Sequence, residues 1–187
     1  IWTRGTVCPP LLHHSVHWPT RTMTTPQQSA VALLDFARDR TLGTLDAIEK
    51  LPQPQAILGW RPGPGRAHIA WQLLHVGITE ELFATERFRG TTPAFGDLVP
   101  RFKGGSTPDD IIPNAAEIRR ILAETRDHLR ATIQGLSAAD LETVPPALAQ
   151  RNITIGKALQ ILVWHEAHHQ GQAHLTLNLY KAQHGIS

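Results

Sequence analysis

Residues 165 to 174 read HEAHHQGQAH and place four imidazoles and one carboxylate in ten positions. Neutral imidazole is the commonest protein ligand for zinc and its neighbours, and two imidazoles four residues apart on a helix stand one turn above the other, within reach of one ion. His165 and His169 have that spacing. With Glu166 between them the string also satisfies HExxH, in which the carboxylate serves as general base toward a metal-activated water. The chain holds 11 His in 187 residues, so such a pair also arises by chance and reads equally as surface or hydrogen-bonded core histidines.

The protease form of HExxH needs a neighbouring sheet whose edge strand aligns a peptide, and a third ligand further along the chain. No segment upstream shows sustained strand alternation, and the residues after His169 continue the same helical pattern. The extended form HExxHxxGxxH fails as well, because Gly171 and His174 each fall one position early. A metalloprotease is therefore set aside in favour of a different metal site.

Four long helical patterns can position these side chains. From about Gln27 to Lys50, Ala30, Leu33, Leu34, Ala37, Thr41, Leu45 and Ile48 recur at the three-and-four spacing of one helix face. After the breaker LPQPQAILGWRPGPG, His68 to Phe88 carries a second stripe at Trp71, His75, Ile78 and Leu82. An uncompensated ring at His75 would be costly on that core-facing stripe, so it reads as a further ligand or as a histidine bonded to a carbonyl or carboxylate. Residues 90–113 form a long Gly-, Pro- and Asp-rich loop, a candidate lid or pocket wall. A third helix begins near Asn114, with Ile118, Ile121, Leu122, Thr125, Leu129 and Ile133 inward and Gly135 as its stop; a short piece opens at Ser137. The fourth, from about Thr154 to Gln183, aligns Ile155, Ala158, Leu162, His165, His169, Gln172 and Thr176. This is an all-α pattern, a four-helix bundle with one long loop between helices two and three.

Composition narrows the function. A chain of 187 residues, 41% hydrophobic, builds one domain with a real core. Its formal charge of +2 includes no basic block, so no nucleic-acid partner is expected. Cys8 is the sole cysteine, which excludes an internal disulfide and a thiolate zinc cluster and fits a reducing cytoplasm. No apolar run approaches bilayer length, and no membrane association or export is expected. Residues 1–22 lack helical period and read as an atypical N-terminal arm; residues 23–187 read as the domain. His13, His14 and His17 in the arm are treated as incidental.

The segments AHIAWQLLHVGITEELF and TIGKALQILVWHEAHHQGQAHLTLNLYKAQHG resemble the DinB/YfiT-like superfamily, through an inward His on the second helix and an H-x-x-x-H-x-G-Q block on the last. The likeness spans roughly Gln27 to Gly185. It implies an up-down-down-up four-helix bundle that binds one divalent metal, zinc or nickel, through three imidazoles, here His75, His165 and His169. Helical phase agrees, since His168 is rotated about 60° away from His165 and falls beside the site. Gly171 is expected to permit close helix approach. Gln172 is a weak candidate to orient a ring or to touch substrate, and Glu166 a weak candidate base whose more natural reading is a solvated helix surface; His174 and His184 read as surface residues. Trp60 and Arg61, with the 90–113 loop, are expected to wall a pocket. The resemblance also implies transferases and isomerases that use low-molecular-weight thiols such as bacillithiol. A metal-dependent thiol S-transferase, or a related detoxifying enzyme acting on a small molecule, is the leading expectation. A non-catalytic metal-binding or stress-response protein is the alternative, and a homodimer is left open as the assembly.

Overall fold

The computed structural model describes residues 24–186. The expected arm, with Cys8, His13, His14 and His17, lies outside the described residues.

Four long helices carry the fold. Helix α1 (Pro26–Glu49) starts at a reciprocal cap: the Thr25 hydroxyl accepts the Gln28 N–H at 3.1 Å while the Gln28 side chain accepts the Thr25 N–H at 2.9 Å, with Pro26 pre-set for the first turn. Helix α2 (Pro54–Gly59) is a short piece inside the segment expected only to break the chain. Helix α3 (Ile69–Leu82) is capped by the His68 ring, which accepts the Trp71 N–H, and it continues into one π-helical stretch, Phe83–Arg87. Helix α4 (Val99–Phe102) lies within the 90–113 loop. Helix α5 (Ala115–Gln134) begins at Asn114 and stops at Gly135, and helix α6 (Ile155–Gln183) begins at Thr154. Between them lie 3-10 turns at Asp140–Glu142 and Pro146–Arg151. No strand occurs among the described residues.

Contacts give the helix directions. On α1 and α6, Arg38 meets Glu166 and Thr44 meets Gln170, so these helices run parallel. On α3 and α6, Gln72 meets His169 and His75 meets His165, so these run antiparallel. On α3 and α5, Glu80 meets Arg126 and Glu81 meets His128, again parallel. Helices α1 and α6 thus run one way, and α3 and α5 the other.

The apolar core has two parts. One gathers Leu45, Ile57, Ile78, Ile118 and Leu177; the other gathers Leu34, Leu129, Ile133, Leu159 and Leu162. Between them lies a buried ionic lattice with one residue from each long helix: Arg38, Glu80, Arg126 and Glu166. Arg38 reaches Glu166 at 2.7 Å and Glu80 at 2.8 Å, and also donates to the Leu122 carbonyl; Arg126 bonds both carboxylates. Thr41 donates to Glu166 at 2.9 Å. Burial alone would lower the pKa of Arg126, but the charges and hydrogen bonds of Glu80 and Glu166 raise it above the ordinary arginine value.

This lattice corrects the stripe expected on α1. Arg38 is buried and Leu33 is 56% exposed, because the helix turns toward its ionic partners and not toward the broadest apolar arc. Glu166 is corrected too. It is fully buried, so it is neither a solvated surface residue nor a base facing the histidines.

Removing one member of such a lattice leaves opposite charges buried without their partner, at about 3–5 kcal/mol. Glu166→Ala should lower the unfolding free energy of metal-free protein by that amount in urea titrations at neutral pH. A loss below about 1 kcal/mol, as for an exposed ion pair, would show that the lattice is hydrated.

Candidate metal centre

Helix α3 presents Gln72, His75 and Thr79 one turn apart, and the antiparallel α6 presents His165 and His169 opposite them. The three imidazoles each offer a nitrogen, and these atoms lie within 4.8 Å of one another. Two zinc–nitrogen bonds in line span about 4.2 Å, so small ring rotations bring all three onto one ion. The Nε2 atoms of His75 and His165 are 3.0 Å apart.

Two of the rings are oriented from behind. His75 Nδ1 donates to the Phe102 carbonyl at 2.7 Å, and His169 Nδ1 donates to the Gln72 side-chain oxygen at 2.5 Å. Each bond fixes the tautomer that leaves Nε2 with its lone pair, as ligand histidines require. Trp71 stacks on His75 with centroids 4.6 Å apart, and its indole N–H donates to the Arg101 carbonyl at 3.1 Å and to Ser106 at 3.2 Å. The donor set therefore fits a divalent ion with a taste for imidazole, such as zinc or nickel.

The electrostatics agree. Burial, reinforced by His75, His168 and Arg87, pushes His165 down to about 4. Burial, reinforced by the other histidines, pushes His169 down to about 3. Burial lowers His75 as well, against the pull of the Phe102 carbonyl. All three rings stay neutral at physiological pH, the form that ligates metal.

A cleft of about 520 Å³ opens onto His75 and His165, with Thr79, Phe83, Arg87, Gly104 and Arg151 among its walls. The 90–113 loop supplies Gly104 to this wall and Phe102 to the His75 hydrogen bond. It is tied down and does not hang free. Arg101 pairs with Asp109 at 2.7 Å, His68 donates to the Asp109 carbonyl at 3.0 Å, and buried Glu81 accepts the Ala94 N–H at 2.7 Å.

Several expected site residues are placed elsewhere. Trp60 and Arg61 are not in the wall of this cleft. Trp60 packs edge-on to Tyr180 at 5.6 Å, and Arg61 holds the far end of the loop through Pro108, Asp109 and Asp110. Glu166 belongs to the ionic lattice. Gln172 contacts His168 at 2.8 Å, and exposed His168 stacks on Trp164. Gly171 faces open space, so no helix approaches closely there. His174 and His184 are exposed, as expected. The residue that orients His169 is Gln72, which the sequence reading missed. Its signal was there: a polar side chain one turn before His75, between the apolar Trp71 and Leu73.

An all-helical bundle with three convergent neutral imidazoles is what the fold and the site define. The chain belongs to the DinB superfamily, whose sequence model matches residues 33–173. Among solved structures it resembles a conserved protein from Enterococcus faecalis, with a TM-score of 0.65 at 17% identity over 82% of this chain and 95% of that one. That likeness concerns the fold alone. No curated protein matches the chain.

The depressed pKa values set a pH dependence. Below about pH 6.5 the unfolded chain binds protons that the folded rings refuse until about pH 4 and 3, so falling pH favours the unfolded state. The urea midpoint of metal-free protein should therefore fall between pH 7 and pH 4.5, and His169→Phe should flatten that slope. An unchanged slope in the variant would place the ring in water.

Proposed function

We propose that the protein binds one divalent metal ion, zinc or nickel, through His75, His165 and His169, and uses it to transfer the sulfur of a low-molecular-weight thiol of the bacillithiol type to a small electrophile. The observation that carries this reading is the convergence of three imidazole nitrogens within 4.8 Å, two of them aimed by hydrogen bonds from behind. When bound, such an ion supplies Lewis acidity that lowers the pKa of a thiol or water beside it.

The chain's own residues set the rest. Phe102 and Gln72 hold two rings in register, Trp71 covers one face of His75, and the cleft gives a small molecule access to the cluster. That access favours an enzyme over a sealed metal store. In the transfer the thiol releases its proton to solvent in the open cleft, sulfur forms the new bond to carbon with its electron pair, and the leaving group departs with the pair of the broken bond. Cys8, the only cysteine, lies outside the described residues, and this reading takes the thiol as a co-substrate. Glu166, locked between two arginines, is not available as the base of a peptide hydrolase. We place this activity in the cytoplasm, where small thiols are kept reduced.

Two measurements test the reading. Metal analysis after dialysis should show about one ion per wild-type chain, severe loss in His165→Ala, near-full retention in His168→Ala, and affinity lowered about 10- to 100-fold in Gln72→Ala. Equal loss in the His165 and His168 variants would contradict the assigned ligand set. Metal-loaded protein should consume 1-chloro-2,4-dinitrobenzene only when bacillithiol is supplied, and His165→Ala should not. Turnover of casein without added thiol, surviving in Cys8→Ser, would sink the thiol reading.

A further inference from the structure

The cleft has a second chemical end. Past Thr79, the π-helical stretch Phe83–Arg87 turns Arg87 into the cleft wall, where its guanidinium lies over the Phe83 ring at 4.2 Å. Across the opening, Arg151 ends the 3-10 turn Pro146–Arg151, stopped there by Asn152 in the left-handed conformation at φ 48°. Among the described residues neither arginine has a salt-bridge or side-chain hydrogen-bond partner. The other arginines facing the bundle interior or the loop, Arg38, Arg61, Arg101 and Arg126, are all paired. The same wall holds one acid, Glu86, which is exposed and bridges to neither arginine, so the rim keeps one net positive charge. Burial lowers the pKa of Arg87, the charge of Glu86 raises it, and the charge of Arg151 lowers it again. Two like charges brought together beside an apolar ring and left unpaired are the electrostatic complement of an anion.

Geometry also sets the length of that anion's carrier. His75 and Arg87 are twelve residues apart, roughly 18 Å along a helix axis, and the Arg87 side chain folds back over Phe83 to shorten the gap. A lone acetate cannot touch both ends, whereas an extended organic acid of tripeptide size can. The Thr79 hydroxyl lies in the same cleft wall as a hydrogen-bonding group. We propose that Arg87 and Arg151 bind a carboxylate of the thiol substrate, whose sulfur end reaches His75 and His165. The sulfur end of this assignment rests on the thiol-transfer reading above. The capture of a carboxylate by the two arginines does not.

Reduced glutathione, a tripeptide thiol with two carboxylates, and its diethyl ester, in which both are capped, serve as probes in calorimetric titrations of metal-loaded protein. Glutathione should bind at least about tenfold more tightly than the ester, the loss expected when a charge-assisted contact is removed. Arg87→Gln and the exposed Arg151→Glu should each weaken glutathione about tenfold or more and leave the ester and the metal content unchanged. Because Arg151 is exposed and unpaired, its variant tests the site without threatening the fold. No measurable glutathione binding, equal binding of acid and ester, or discrimination that survives both variants would overturn the proposal even where the metal is retained. If wild-type protein takes up no metal yet still prefers acid over ester, and loses that preference in both variants, the carboxylate site stands and the metal-thiol reading falls.

Discussion

The lattice of Arg38, Glu80, Arg126 and Glu166 is the constraint on which the other parts of the bundle depend. Apolar faces alone let helices slide or rotate against each other at modest cost, because one leucine replaces another. Buried charges do not permit this, since a shift of one turn strands a carboxylate or guanidinium in the core. Each long helix contributes one member, so the lattice fixes four axial registers together. Glu166 is the chain neighbour of His165, and Glu80 lies little more than one turn beyond His75. The register that satisfies the ions is therefore the register that brings the imidazoles face to face.

Much of this could be read from the sequence, and the reasons are physical. The three- and four-residue spacing of apolar side chains located the long helices, and the same arithmetic put His75, His165 and His169 inward and His168 to one side. Glu166 was misplaced because helical phase gives only an angle. Whether that angle meets water or another helix depends on which neighbour packs there. Arg38 was missed for the same reason: a lone arginine beside an apolar stripe reads as surface unless two carboxylates from distant helices are known to converge on it. Leu33 took its place on the expected stripe and is exposed.

The loop was legible only as a long connection. Its ties to the bundle run through Asp109, Glu81 and main-chain carbonyls, contacts with no periodicity and no fixed spacing in sequence. Trp60 and Arg61 were expected to wall the pocket with this loop, yet α2 carries Trp60 onto Tyr180 and sends Arg61 to the loop's far end. The π-helical stretch, which decides where Arg87 points, left no sequence signature at all.

The hydrogen bond from His75 reaches a main-chain oxygen of Phe102 and not a side chain. Any residue with the same backbone path supplies that oxygen, so the ring's aim is insulated from most substitutions in the segment that provides it. Gln72, which aims His169, has no such insulation, because its contact is lost with its own side chain. The two halves of the cluster thus differ in how they tolerate mutation: one is guarded by chain path, the other by the identity of a single residue.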